Sequence, residues 1–255
     1  MKKDFVSLYD NQVLPISFIN NFISEYIEKN NLNKSLNKIK YVNINEIGVG
    51  CSTGYDVPSK TLLIDYEQII KICLELYGMD SKNISIPTIN LFILDTLYHE
   101  LVHVKQFDVI YKRSSINEEV DKFLYELYIY LCEDEAKEIY DNNHDIFLLE
   151  HNANLKAGIL TDNFVTNAIF EEKGIKLPNI YELFYYYVNK SYGKNLIPLN
   201  EYNLLTNENV LPIKGLDTYN KIMYGMPINE LEYEKVKKIE YEKVNHKYIK
   251  EYLNS

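Results

Sequence analysis

Residues 89–112 read INLFILDTLYHELVHVKQFDVIYK, a stretch that is apolar on nearly every side when wound at 3.6 residues per turn. A helix of that kind has no broad face to offer water, so it belongs in the middle of a fold. Pro87 and Thr88 stand just before it, where a helix start tolerates proline. Within it lies His99-Glu100-Leu101-Val102-His103. A four-residue interval puts the two imidazoles on the same side, one turn apart, while Glu100 sits a step around the helix.

That H-E-x-x-H spacing lets two rings meet one ion and brings a carboxylate within reach of a water on that ion. The plain alternative is a pair of core histidines satisfied by ordinary hydrogen bonds. Burying two rings and a carboxylate together would leave polar groups unpaired at a cost of several kcal/mol, and a divalent cation compensates all three. The sequence therefore favours a metal site. A catalytic zinc site takes three protein ligands and keeps a fourth position open. The best candidate for the third is Glu150, in Leu148-Leu149-Glu150-His151-Asn152-Ala153-Asn154-Leu155-Lys156-Ala157. On a helix Glu150, Ala153, Asn154 and Ala157 share a face, and the two alanines allow another helix to approach closely. Glu133 and Glu135 are rival ligands with only Ala136 as a small neighbour. His151 points about 100° away from Glu150 on the same helix. His144 and His246 fall near a turn and in a charged tail, where solvent is the simplest partner.

His99-Glu100-x-x-His103, followed 47 positions later by a helical Glu150-x-x-x-Asn154, resembles the gluzincin branch of zinc metallopeptidases. The resemblance covers about residues 89–160. It implies a single zincin-like domain over the chain, one Zn2+ held by His99, His103 and Glu150, Glu100 as general base, and a residue at the Asn154 position that orients a ligand histidine. The family commonly has Asp where this chain has Asn154; an amide still accepts from a ring N–H but raises ligand basicity less than a carboxylate. Through Ala153-Asn154 there is a weaker similarity to the phage and mobile-element metallopeptidases that cleave repressors. The implied activity is hydrolysis of peptide bonds in a protein or peptide substrate. In such folds a strand edge pairs with extended substrate, and residues 61–66 are the candidate strand.

The remaining pattern predicts a predominantly helical α+β chain. Residues 16–30 place Ile19, Phe22, Ile23, Tyr26 and Ile27 at helical intervals. Residues 41–47 alternate, and residues 61–66 form a short apolar run, so both are predicted strands. Between them Gly48-Val49-Gly50-Cys51-Ser52-Thr53-Gly54 reads as a loop, because Tyr55, Asp56 and Pro58 follow instead of the helix a phosphate-binding turn needs. Residues 66–77 read as a helix ended by Gly78. Further helices are predicted from the Ser115/Glu118 capping box to about 140, over about 145–160, over 178–189, and in the tail at 229–253. Residues 194–227 look irregular. Together these describe a small mixed part over 1–88 whose short sheet packs on the central helix, a metal-binding helical core over 89–193, and an irregular and helical end over 194–255.

Charge narrows the partners. With 27 basic and 37 acidic residues the net charge is -10, which repels nucleic-acid backbones and anionic lipid. No membrane span is expected, and Asp4, Asp10 and Gln12 break any signal-peptide stretch at the N-terminus, so a cytoplasmic location is expected. Cys51, Cys73 and Cys132 are odd in number and widely spaced, which fits buried thiols better than a disulfide framework. Two other readings stay in view. One is a non-catalytic, zinc-stabilised binding or regulatory module. The other is a carboxylate-bridged di-iron protein, since Glu100-x-x-His103 is also that helix motif; it needs a second E-x-x-H, which the sequence lacks.

Overall fold

The computed structural model describes residues 1–43, 52–77, 84–111 and 148–176. The helices expected from the Ser115/Glu118 capping box to about 140, at 178–189 and at 229–253, the irregular 194–227 segment, Gly78, Cys51, Cys132, Glu133, Glu135, His144 and His246 lie outside the described residues. Over the described residues the chain is a mixed α+β structure, mostly helical, with one three-stranded sheet. No helix among them is long and apolar enough to cross a membrane.

Two helices open the chain, α1 (Lys2–Tyr9) and α2 (Ile16–Lys29). The second was legible from its apolar spacing, and Phe18, Ile19, Phe22, Ile23 and Ile27 are all buried. The first was not. Its eight residues bury Phe5, Val6 and Tyr9, too short a run to show a period, and it is held by packing rather than by propensity. Phe5 meets Phe164 with ring centroids 5.0 Å apart, Phe22 meets the same ring at 5.4 Å, and Phe22 meets Tyr98 at 4.8 Å. These edge-on contacts tie both N-terminal helices to the core.

The sheet comprises β1 (Lys38–Tyr41), β2 (Thr53–Asp56) and β3 (Thr61–Ile64), in the order β1-β3-β2. β1 runs parallel to β3 and β2 runs antiparallel to it. Three expectations are corrected here. The first strand ends at Tyr41 instead of beginning there: Lys38 and Lys40 are exposed while Ile39 and Tyr41 pack on the core, so the alternation simply starts earlier, and residues 44–47 lie outside the described residues. Residues 53 and 54, read as loop, begin β2. Its backbone pairs with β3 from Thr53 opposite Ile64 to Asp56 opposite Thr61, and ladder bonds of that kind need no apolar run in the sequence. Finally, β3 lies between two partners, so Thr61–Ile64 offers no free edge. Among the described residues the edges belong to β1 and β2, and β2 is the one that packs on the central helix.

α3 (Tyr66–Tyr77) begins where Asp65 caps it, with Gln68 N donating to Asp65 Oδ1 at 2.9 Å. The central helix, α4 (Ile86–Tyr111), starts after Ser85, whose hydroxyl accepts from Thr88 N at 3.3 Å. Between residues 87 and 108 only Lys105 is exposed, which is the burial the apolar wheel implied. Its interior Asn90 is fully buried and fully used: Oδ1 accepts from Leu14 N at 2.9 Å, and Nδ2 donates to Tyr9 O at 3.1 Å and Gln12 O at 3.0 Å. One amide thereby fixes the turn between α1 and α2. Among the described elements, α5 (Leu148–Lys173) packs on α4 most extensively. It continues well past residue 160, the expected end, because Phe164, Val165, Ala168 and Ile169 are buried in the core cluster that residues of the N-terminal helices also build. Gly174, at φ 67°, closes it. Cys73 is a free, buried thiol, as expected.

One buried group in α4 makes stability depend on pH. Asp95 is 4% exposed, and its Oδ1 has no hydrogen-bond partner among the described residues. Burial pushes its carboxyl up from 3.8 to about 8. The folded chain therefore holds a proton that the unfolded chain has already released, and the stability this confers is full below the unfolded value and is lost as pH rises through about 8. Asp95→Asn should flatten that fall. Melting temperatures taken at about pH 5 and about pH 8 should converge in the variant relative to the wild type; an unchanged gap would show that Asp95 does not cause it.

Candidate metal centre

α4 supplies His99, Glu100 and His103, and the first turn of α5 supplies Glu150. α5 can come close because Ala153 and Ala157 are fully buried in the contact, as their small size on the Glu150 face suggested. A carboxylate in the first turn of a helix is also favoured by the unpaired N–H groups there. The result is a tight triangle. His99 Nε2 and His103 Nε2 are 3.0 Å apart, and Glu150 Oε2 lies 3.2 Å from the first and 3.1 Å from the second. Four-coordinate ligands about 2 Å from one ion stand about 3.3 Å from each other, so the three atoms have the spacing of one coordination sphere. These residues could hold a metal ion.

The donor chemistry agrees with the spacing. Two ring nitrogens face each other across 3.0 Å beside a single carboxylate oxygen, an arrangement that a cation at its centre would satisfy. In the metal-free chain a proton does that work at His103. Burial alone would lower His103, but the Glu150 carboxylate, its hydrogen bond, the charge of Glu100 and the bond to Gln106 outweigh burial and raise it to about 9.

Glu100 stands beside the triangle without joining it. It is buried, and its Oε1 accepts a hydrogen bond of 2.9 Å from the Thr53 hydroxyl, so the edge strand β2 fixes the carboxylate that α4 carries. Its charge is felt at His103. Nothing in the sequence singled out Thr53, which sits in the stretch read as loop.

Two outer partners remain. His103 Nδ1 is 2.8 Å from Gln106 Oε1, and Gln106 Nε2 donates to Leu149 O at 3.2 Å. Gln106, three residues beyond His103, escaped the sequence reading, although its position on a neighbouring face of the helix was available as a signal. Asn154 is buried on α5 one turn after Glu150. The side chain bonded to His103 Nδ1 is that of Gln106, and His99 Nδ1 is buried with no hydrogen-bond partner among the described residues. His151 lies on α5 next to Glu150.

No protein-family model matches the chain, and neither a curated protein nor a solved structure matches it. The class defined by fold and site is thus an α+β chain whose central helix and a second helix bring two histidines and a glutamate together as a possible metal site.

Proposed function

We propose that this chain is a zinc-dependent endopeptidase of the gluzincin type, zincin-like in fold and working in the cytoplasm on a protein or peptide substrate. The observation that carries the reading is the His99, His103 and Glu150 triangle, 3.0–3.2 Å on a side, with the buried carboxylate of Glu100 beside it. Three protein ligands, the number in this group among the described residues, are what catalytic zinc sites use, and they leave a position for water and substrate.

A zinc ion held there would supply a Lewis acid that polarises a carbonyl and makes a nearby water more acidic. The chain's own residues do the rest. Glu100 takes the proton of the attacking water and returns it to the leaving amine, so no covalent enzyme intermediate is needed. Thr53, donating to Oε1, holds that carboxylate in one orientation and leaves Oε2 for the proton. β2 carries Thr53 and has an unpaired edge among the described residues, so an extended peptide added to that edge would lie along Glu100.

The test combines metal analysis with cleavage. Purified protein should carry one zinc ion per chain and cut members of a peptide library; a chelator should abolish cutting, and zinc should restore it. Zinc retained without any cleavage would leave the binding-module reading in its place. Cleavage untouched by chelation would remove the metal from the mechanism.

A further inference from the structure

We propose that Gln106 is a positioning residue of this centre: a single amide sets the tautomer of His103 and fastens that ring to the backbone beside Glu150, so that ligands from two helices are placed together. The inference rests on the reading of His99, His103 and Glu150 as a metal site.

The argument starts from the one partner whose role is beyond choice. A backbone carbonyl can only accept, so the group 3.2 Å from Leu149 O must be the NH2 of Gln106. The amide oxygen then faces His103 Nδ1 at 2.8 Å and can only accept in turn. His103 therefore carries a hydrogen on Nδ1. Its neutral ring has its lone pair on Nε2, the atom 3.0 Å from His99 Nε2 and 3.1 Å from Glu150 Oε2. The orientation of one amide thus decides which nitrogen is offered to a cation.

The same amide closes a circuit. Gln106 joins His103 on α4 to Leu149 on α5, Leu149 is bonded along the chain to Glu150, and Glu150 Oε2 lies 3.1 Å from His103 Nε2, where a proton on that nitrogen or a shared cation links the two. All these groups are buried: Gln106 is 8% exposed and Glu150 4%. Neither helix can slide along the other without breaking a bond of the circuit. The histidine motif then extends one step further, as His99-Glu100-x-x-His103-x-x-Gln106.

A mere staple between α4 and α5 would make only the bond to Leu149 O matter, and two substitutions separate the cases. Gln106→Met keeps the length and removes both bonds. Gln106→Glu keeps an acceptor for His103 Nδ1–H and loses the donor to Leu149 O. Cobalt(II), titrated into the metal-free chain and followed by its visible spectrum, is the probe. Gln106→Met should bind it about 10–100-fold more weakly than wild type, with an altered spectrum, and Gln106→Glu should recover most of that loss. Nitrogen NMR of the metal-loaded wild type should find the His103 proton on Nδ1. Equal weakening in the two variants, unchanged binding in Gln106→Met, or a proton on Nε2 would overturn the inference. If the wild type takes up neither cobalt nor zinc, the metal reading itself falls and this inference with it; a wild type that binds normally while the variants break the pattern overturns only the role of Gln106.

Discussion

Glu100→Gln should lower peptide hydrolysis by about 10²–10⁴-fold while the protein keeps its fold and its metal. The substitution is nearly isosteric. Its amide oxygen can still accept the Thr53 hydroxyl that now reaches Glu100 Oε1 at 2.9 Å, so packing and the link to β2 survive. Even complete loss of that neutral hydrogen bond would cost only about 1 kcal/mol, or several-fold. What the amide cannot do is accept a proton, which is the whole of the part assigned to Glu100 in the proposed reaction. The size of the effect therefore separates the two roles. A several-fold loss would mean that Glu100 merely positions its surroundings, and undiminished kcat/KM would end its candidacy as the base. Zinc content and melting temperature measured on the same sample show that the site remains assembled: Glu100 stands outside the His99, His103 and Glu150 group, and neither quantity should move much.

How far the sequence could be read depended on whether the signal was periodic or relational. α4 declared itself because burial on all sides leaves a continuous apolar record, and His99 and His103 declared themselves because a four-residue step is a fixed geometry on a helix. Glu150 was legible for a similar reason, since Ala153 and Ala157 mark the face on which a neighbouring helix can come close, and both are indeed fully buried. β2 was hidden because its pairing is written in its partner: Thr53-Gly54-Tyr55-Asp56 has no strand pattern of its own and exists through the ladder to Thr61–Ile64. That concealed Thr53 as well, and it displaced the candidate substrate edge from β2 to the strand in the middle of the sheet. Gln106 was missed because an amide's meaning lies in what it touches. Its side chain answers to Leu149 O, 43 residues away, and no local spacing announces that.

Glu150→Ala is expected to produce the largest change in the molecule, a deficit whose pH trend reverses between the metal-free and metal-loaded states. Without metal, Glu150 is the main support of the proton on buried His103; burial itself pulls the other way. Removing one partner of a buried ion pair costs about 3–5 kcal/mol, because the survivor is left charged and unpaired or must give up its proton. In the variant His103 should therefore titrate below its present value of about 9. A histidine raised on folding gives stability that is complete below its unfolded value of 6.5 and disappears as pH rises through about 9. The deficit of metal-free Glu150→Ala against wild type should accordingly be widest near pH 6 and shrink towards about pH 9. With zinc present the trend inverts, since the ion must displace that same proton: the stabilisation zinc gives the wild type should grow with pH. Glu150→Ala, left with two ligands, should lose zinc affinity by more than the roughly 10–100-fold that an outer hydrogen-bond partner is worth, and show almost none of that gain. Melting curves with and without zinc across about pH 6 to 9 measure both trends in one series. Zinc stabilising the variant as strongly as the wild type would take Glu150 out of the metal site, and a deficit that did not narrow with pH would break the link between Glu150 and the His103 proton.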